Sequence, residues 1–406
     1  MPVVATAGSN RYGQLGRGGD FSFFKVLDIE GDVVQICCGA DYTLAVTNEG
    51  NVYGWGRNNS GQLALSEVIV ERPTLIKTHI KEPIVKVSCG ESHSLFLTSS
   101  GKIYSCGEGS CGQRGDGTYH GECFELKRVL LDEYVRDVFC GARTSYAITN
   151  DGELFEWGET TTGMLGITSW SSPTLANPTH LSFGSTRTRI ARVVASVNFA
   201  ILITTTGEIL GSGSNANGQL GISDKYTHIW RPIRDVGRVS YLACGSRHTL
   251  CHQLEKNRCI VLSTQITSFT VPNLEGLAAG DDNNLVWTDA GSKLLVCGYN
   301  RHRQLGVGDI PLVEELTEVP LPRKAKVVNV SCGRKHICVL LSEEIVRDEN
   351  YMVFMEDSFV TAESLAREPY VTLEKKKSLF FWVCLASSAA AFLSGVLIAK
   401  YRHRRV

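Results

Sequence analysis

The chain has 406 residues, 43% of them hydrophobic, and a formal net charge of −1. That length and apolar content suffice for a large closed core, and the balanced charge argues against a general nucleic-acid surface. Fourteen cysteines follow a start that reads directly into a strand, with no signal peptide, which points to free thiols in a reducing cytosol.

The first predicted element is a strand over Val3–Ala7, and it leads into a glycine-rich phrase, GSNRYGQLG, from Gly8. The phrase returns as GRNNSGQLA from Gly56, GEGSCGQRG from Gly107, GETTTGMLG from Gly158, GSNANGQLG from Gly213 and GYNRHRQLG from Gly298. Such recurrence marks a repeat array, and repeat arrays serve as binding scaffolds more often than as catalysts. A second phrase, Cys-Gly-x-x-His or a variant, starts at Cys38, Cys89, Cys140, Cys244 and Cys332, with weaker copies at Ala195 and Ala279. The steps between copies are 51, 51, 55, 49, 35 and 53 residues, which gives seven units. A third phrase, Thr-x-x-Gly, lies between the two from Thr47, Thr98, Thr149, Thr204 and Thr288.

Within the first full unit, Val33–Cys38 is an apolar run and Tyr42–Thr47 alternates, so both read as strands. Asn48–Gly50 is a tight turn, and Asn51–Trp55 is the returning strand. Four-stranded sheets of this kind bury both faces only when stacked radially, as a β-propeller. The fold class expected is therefore all-β, a seven-bladed propeller over residues 1–342. The chain opens on a glycine-rich phrase with no Cys-Gly unit before it and closes on a Cys-Gly unit with none after it. The N-terminal strand should therefore complete the last blade and remove an open sheet edge. The unit from Cys244 is short and lacks the glycine-rich phrase, although Cys259–Phe269 still reads as strand.

These three interlocked phrases resemble the regulator of chromosome condensation repeat family, whose members are seven-bladed propellers. The resemblance spans Val3 to about Ser342. It implies a fold rather than one activity, since the family includes an exchange factor for the small GTPase Ran, ubiquitin ligase modules, GTPase regulators and adaptors. Ala64, Arg114 and Arg303 depart from the Gly-Gln-Leu-Gly pattern. No exchange wedge loop matches residue by residue, so exchange activity is not carried over.

No catalytic residue, cofactor or metal is expected. Cys244, His248, Cys251 and His252 cluster in sequence, but the first two are repeat residues, and His248 and Cys251 point to opposite faces of a strand. Cys106 and Cys111 span a glycine-rich loop, where a reactive pair could form. GSNANG from Gly213 lacks the Lys and Ser/Thr that grip phosphate and magnesium. Cys38, Cys89, Cys106, Cys140, Cys244, Cys297 and Cys332 hold repeat registers that suit small buried side chains. The basic cluster of Arg301, Arg303, Arg323, Lys324 and Lys326 reads as a solvated blade face.

The repeats stop after Ser342. Residues 343–377 are rich in acids, contain no glycine and read as a linker. Residues 378–399 read as a transmembrane helix, because Leu379–Ala399 is a run of 21 uncharged residues. As a helix this run spans about 31 Å, against a hydrocarbon core of about 30 Å. A basic tail over residues 400–406 follows. The expectation is a tail anchor in a lipid bilayer with the propeller in the cytosol, at the mitochondrial outer membrane first and the ER next. In the linker, residues 356–364 resemble the acidic phenylalanine motif read by ER VAMP-associated proteins. Phe359 and Ala362 stand at its apolar positions, and Thr361 at a position where phosphorylation would supply the missing charge.

Strand direction sets the binding face. Val33–Cys38 runs up, Tyr42–Thr47 down and Asn51–Trp55 up, so the Gly39–Asp41 turn and the Arg57–Ser60 loop share one face. Arg57, Asn58, Arg301, His302 and Arg303 on such loops are the expected partner contacts. The reading is a membrane-tethered interaction scaffold for a cytosolic protein. The alternative is a regulator or guanine-nucleotide exchange factor of a small GTPase at the same membrane.

Overall fold

The computed structural model describes residues 2–343 apart from 20, 168–171, 184–187, 235 and 323–324. The expected membrane helix, the basic tail and the linker positions Phe359, Thr361 and Ala362 lie outside these residues, as do Arg323 and Lys324. No helix among the described residues is long and apolar enough to cross a membrane.

The described residues form seven four-stranded sheets with antiparallel neighbours throughout. The first complete blade runs outward through Val33–Cys38, Tyr42–Thr47, Val52–Arg57 and Ile69–Leu75. All six residues of Tyr42–Thr47 are buried, whereas Ile69–Leu75 is mostly exposed. The cause is position: the second strand has a paired strand on each edge and a neighbouring blade on each face, and the outermost strand faces water. Apolar side chains fill the centres of most second strands for that reason, as in residues 44–46, 95–97 and 201–203.

The ring closes as the order of phrases implies. Val3–Gly8 lies between Lys25–Val26 and His336–Glu343, with Val3 opposite Leu341 and Gly8 opposite His336. Chain start and final strand therefore share one sheet, and no inner edge is left open. The short unit from Cys244 still builds a complete blade of Val239–Cys244, Thr249–Gln253, Arg258–Leu262 and Thr267–Phe269. Blades are tied together by the third strands as well. The buried Trp55 and Trp157 indoles donate to Gln14 O at 3.0 Å and Gln113 O at 2.9 Å, each in the glycine-rich loop of the preceding blade.

Two departures from the glycine pattern carry strain. Ala64 stands where the first phrase has Gly16, and Arg303 where it has Gly13. Their φ angles are 50° and 61°, close to the 67° and 78° of those glycines. A Cβ in this region costs about 1 kcal/mol or more. Ala64→Gly should therefore raise the stability of the full chain in urea unfolding by about 1 kcal/mol. An unchanged midpoint would show that the loop carries no such strain.

Candidate interaction face

The glycine-rich loops are held by their own polar side chains. Asn58 Nδ2 donates to Leu65 O and Glu67 O, both at 2.7 Å, and Asn58 Oδ1 accepts from Leu63 N at 2.8 Å. Asn215 and Asn300 repeat this pattern in their blades. Gln62, Gln219 and Gln304 accept, through Oε1, the N–H two residues earlier in their loops. The following Leu63, Leu220 and Leu305 are buried beneath. Asn58 is itself fully buried. It shapes the loop and offers no side-chain contact, which corrects its assignment as a partner residue.

The phrase from Gly107 reaches the same end by other means. Gly109 replaces the asparagine and Arg114 the leucine. The buried Arg114 guanidinium donates to Gly107 O at 3.1 Å, His120 O at 2.9 Å and Gly121 O at 2.6 Å, and pairs with Asp116 at 2.9 Å. A Cβ on Gly109 would stand 2.4 Å from Arg114 Nη1. The two departures are therefore one compensated change.

The Cys-Gly-x-x-His phrase forms a belt around the inner strands. His93 Nε2 and Ser145 Oγ lie 2.9 Å apart, His248 Nε2 and Asn284 Oδ1 2.8 Å, and His336 Nε2 and Thr43 Oγ1 2.9 Å. Each pair bridges two adjacent blades. The ring folds over the preceding glycine, and a Cβ on Gly90, Gly245 or Gly333 would stand 2.2 to 2.3 Å from the histidine Cε1. That close approach explains the glycine. Burial lowers the His93 pKa to about 4, so the belt imidazole is neutral at physiological pH. The cysteines add a second set of bridges: the thiols of Cys38, Cys89 and Cys140 donate to Ser331 O, Cys37 O and Ser88 O at 3.3 to 3.4 Å. Burial pushes the Cys106 and Cys111 thiols up, which disfavours the thiolate that thiol chemistry needs.

Belt turns and glycine-rich loops share one face. Ser9 N donates to Lys335 O at 2.8 Å, Arg57 N to Asp41 O at 2.9 Å and Tyr299 N to Asp282 O at 3.0 Å. The final strand runs from His336 to Glu343, away from this face. Across blades formed by the last units the face opens into a cavity of about 330 Å³, lined by Arg247, Asp281, Asp282, Tyr299, Arg301, His302, Gln304, Arg334 and Lys335. Arg247 grips Asp282 through three bonds of 2.7, 2.8 and 3.1 Å. Arg334 reaches past the first full blade to Glu91 at 2.7 Å. Burial raises the Asp281 pKa, partly offset by the Ser246 hydroxyl at 2.5 Å.

Arg301 and His302 thus meet in one cavity, and Arg301 lies 5.5 Å from the Tyr299 ring centre. Arg303 is exposed but turns to Asp309. Arg57 sits in another blade, 3.8 Å from Asp41 and 5.1 Å from the Tyr12 ring centre. Asp281, Asp282, Arg334 and Lys335 occupy the two variable positions of the Cys-Gly-x-x turn. Their charges are the signal in the sequence that went unused.

The RCC1-like domain family matches residues 3–339. The chain belongs to this family. Among solved structures, human WBSCR16 superposes with a TM-score of 0.76 at 22% identity, covering 85% of this chain and all of that one. Prp20p from Saccharomyces cerevisiae superposes with a TM-score of 0.51 at 17% identity, over 86% of this chain and 93% of Prp20p. At these identities the likeness is one of fold. Among relatives by sequence, the probable E3 ubiquitin-protein ligase HERC6 of Homo sapiens is 31% identical over 264 residues, which is 61% of this chain and 25% of HERC6. The X-linked retinitis pigmentosa GTPase regulator of Canis lupus familiaris is 27% identical over 340 residues, 76% of this chain and 33% of that protein. The chain thus spans a quarter to a third of these two relatives.

Proposed function

We propose that this RCC1-like propeller is a non-enzymatic interaction scaffold, tethered to a membrane by its C-terminal segment, that receives a cytosolic protein on the face carrying Arg301 and His302. The observation that carries the reading is the cavity of about 330 Å³ on that face. It holds both signs of charge on loops already locked by Asn300 and Gln304. A preformed, mixed-charge concavity suits a folded partner with complementary charges, because little ordering is left to oppose binding.

A second reading makes the chain a regulator of a small GTPase at that membrane. It is favoured by the 340-residue alignment with a protein named as a GTPase regulator. An exchange factor must bind the nucleotide-free GTPase better than the loaded one. Release of fluorescent nucleotide from a panel of small GTPases, with and without the full chain, separates the readings. The scaffold reading expects no acceleration, and acceleration of any one GTPase overturns it in favour of the regulator.

The tether is placed at Leu379–Ala399, with the mitochondrial outer membrane as destination. Removal of residues 379–406 should free the chain from carbonate-washed membranes. The linker is proposed to recruit an ER VAMP-associated protein through Phe359, Ala362 and phosphorylated Thr361.

A further inference from the structure

At the junction where the ring closes, the last blade carries a cysteine at a register where the other six do not. Six residues beyond the Cys or Ala that opens each Cys-Gly phrase stands Leu44, Leu95, Tyr146, Ile201, Leu250 or Leu285 in six blades, and Cys338 in the last. Cys338 stands beside Cys38, the repeat cysteine of the first full blade, and His336, the belt histidine of the last. The two sulfurs and a ring nitrogen of His336 lie within 4.8 Å of one another, and all three side chains are buried. Thr43 Oγ1 sits among them, 2.9 Å from His336 Nε2, 3.7 Å from Cys338 Sγ and 3.9 Å from Cys38 Sγ.

We propose that Cys38, Cys338 and His336, with the Thr43 hydroxyl as fourth donor, form a zinc site that locks the closure of the ring. The donor set decides the metal. Two thiolates and an imidazole select a borderline-soft ion, and hard calcium or magnesium would require carboxylates here. Two thiolates cancel the charge of Zn²⁺, and the histidine and threonine are neutral, so the loaded site has no net charge to bury. In binding, each thiol releases its proton to solvent as its S–Zn bond forms, and nothing is oxidised or reduced. Zn–S bonds of about 2.3 Å place tetrahedral donors ~3.7 Å apart, which the four side chains reach by movements on the order of 1 Å. Metal binding replaces the Cys38 thiol's bond to Ser331 O.

The consequence follows from topology. Cys38 belongs to Val33–Cys38, whereas His336 and Cys338 belong to the strand that pairs with the N-terminal Val3–Gly8. Zinc would bond the first blade to the last, so its binding free energy would add to ring closure.

The test uses the purified full chain with zinc, and cobalt(II) as spectroscopic probe. Cys338→Leu and Cys38→Ala are the variants, because the ring itself uses Leu95 and Ala279 at those registers. Wild type should hold one zinc per chain after dialysis, show thiolate-to-cobalt charge-transfer absorption and gain thermal stability with zinc. Both variants should lose the absorption and the zinc-dependent gain and bind zinc about tenfold more weakly or worse. If either variant fails to fold, His336→Gln, which can still bond Thr43, makes the same comparison. Wild-type uptake no greater than that of the variants overturns the proposal, as does uptake of copper(I) in preference to zinc.

Discussion

Replacing Glu156 with Gln should stabilise the propeller, and by more as pH rises. Glu156 lies on the third strand of its blade, where other blades have Gly54, Ser105 and Gly211. It is fully buried, and neither carboxyl oxygen has a hydrogen-bond partner in the described structure. Desolvation alone therefore drives its pKa well above the ordinary value. Tyr146, directly opposite in the sheet, has its pKa raised by burial and then by Glu156. The sign follows from proton counting. Below the ordinary glutamate range both folded and unfolded chains hold the proton, and the group contributes no penalty. Above it the unfolded chain releases the proton while the fold retains it. Stability then falls by up to about 1.4 kcal/mol per pH unit until the folded pKa is reached. Glu156→Gln keeps the shape and removes the titration. Urea unfolding of both chains at a series of pH values should show curves that meet near pH 4 and separate above it. A constant difference across that range would show that Glu156 is not buried as a neutral acid.

Arg114→Leu should cost about 3 kcal/mol, although leucine is the residue the other loops use. The substitution strips Gly107 O, His120 O and Gly121 O of their donor and leaves Asp116 without its cation. Burial opposes the ionisation of Asp116, but hydrogen bonds from Thr118 and Arg114 outweigh it and hold the carboxyl below the ordinary range. Gly109→Asn alone should also destabilise, because its Cβ meets the guanidinium. Together the two changes rebuild the Asn and Leu arrangement of Asn58 and Leu63. The double variant should be more stable than the sum of the singles by about 2 kcal/mol. Additive losses would mean that the two positions are not exchanging one space.

Much of the ring was legible in the sequence because its phrases are local. Gly90 and His93 lie in one turn, so the glycine that makes room for the ring stands beside it, and Gly245 with His248 and Gly333 with His336 repeat the pair. Closure was legible from the order of phrases, since a strand at Val3 with no belt turn before it has one vacant blade to join. The face was legible because antiparallel strands alternate direction. What escaped the sequence depends on side-chain direction or on distant meetings. Asn58 looked like a surface residue, yet its amide turns inward to Leu65 O and Glu67 O. Arg334 and Glu91, 243 residues apart, meet only across a closed ring. Cys38 and Cys338 are brought together by the same closure, so no local spacing marks them, whereas Cys244 and His248 stand close in sequence and were set aside as repeat residues. In the fold His248 serves Asn284.

Capture of cytosolic partners by the full chain, compared between two faces, tests the central claim most directly. Arg301→Glu with Lys335→Glu reverses charge in the cavity without touching Asn300 or Gln304. Glu49→Lys with Asp151→Lys reverses charge in the hairpin turns after Thr47 and Thr149, on the opposite face. Quantitative proteomics of proximity-labelled cells should show the same partner set for wild type and the hairpin-turn variant, and loss of the principal partner for the cavity variant. Loss confined to the hairpin-turn variant, with the cavity variant unchanged, would contradict the account.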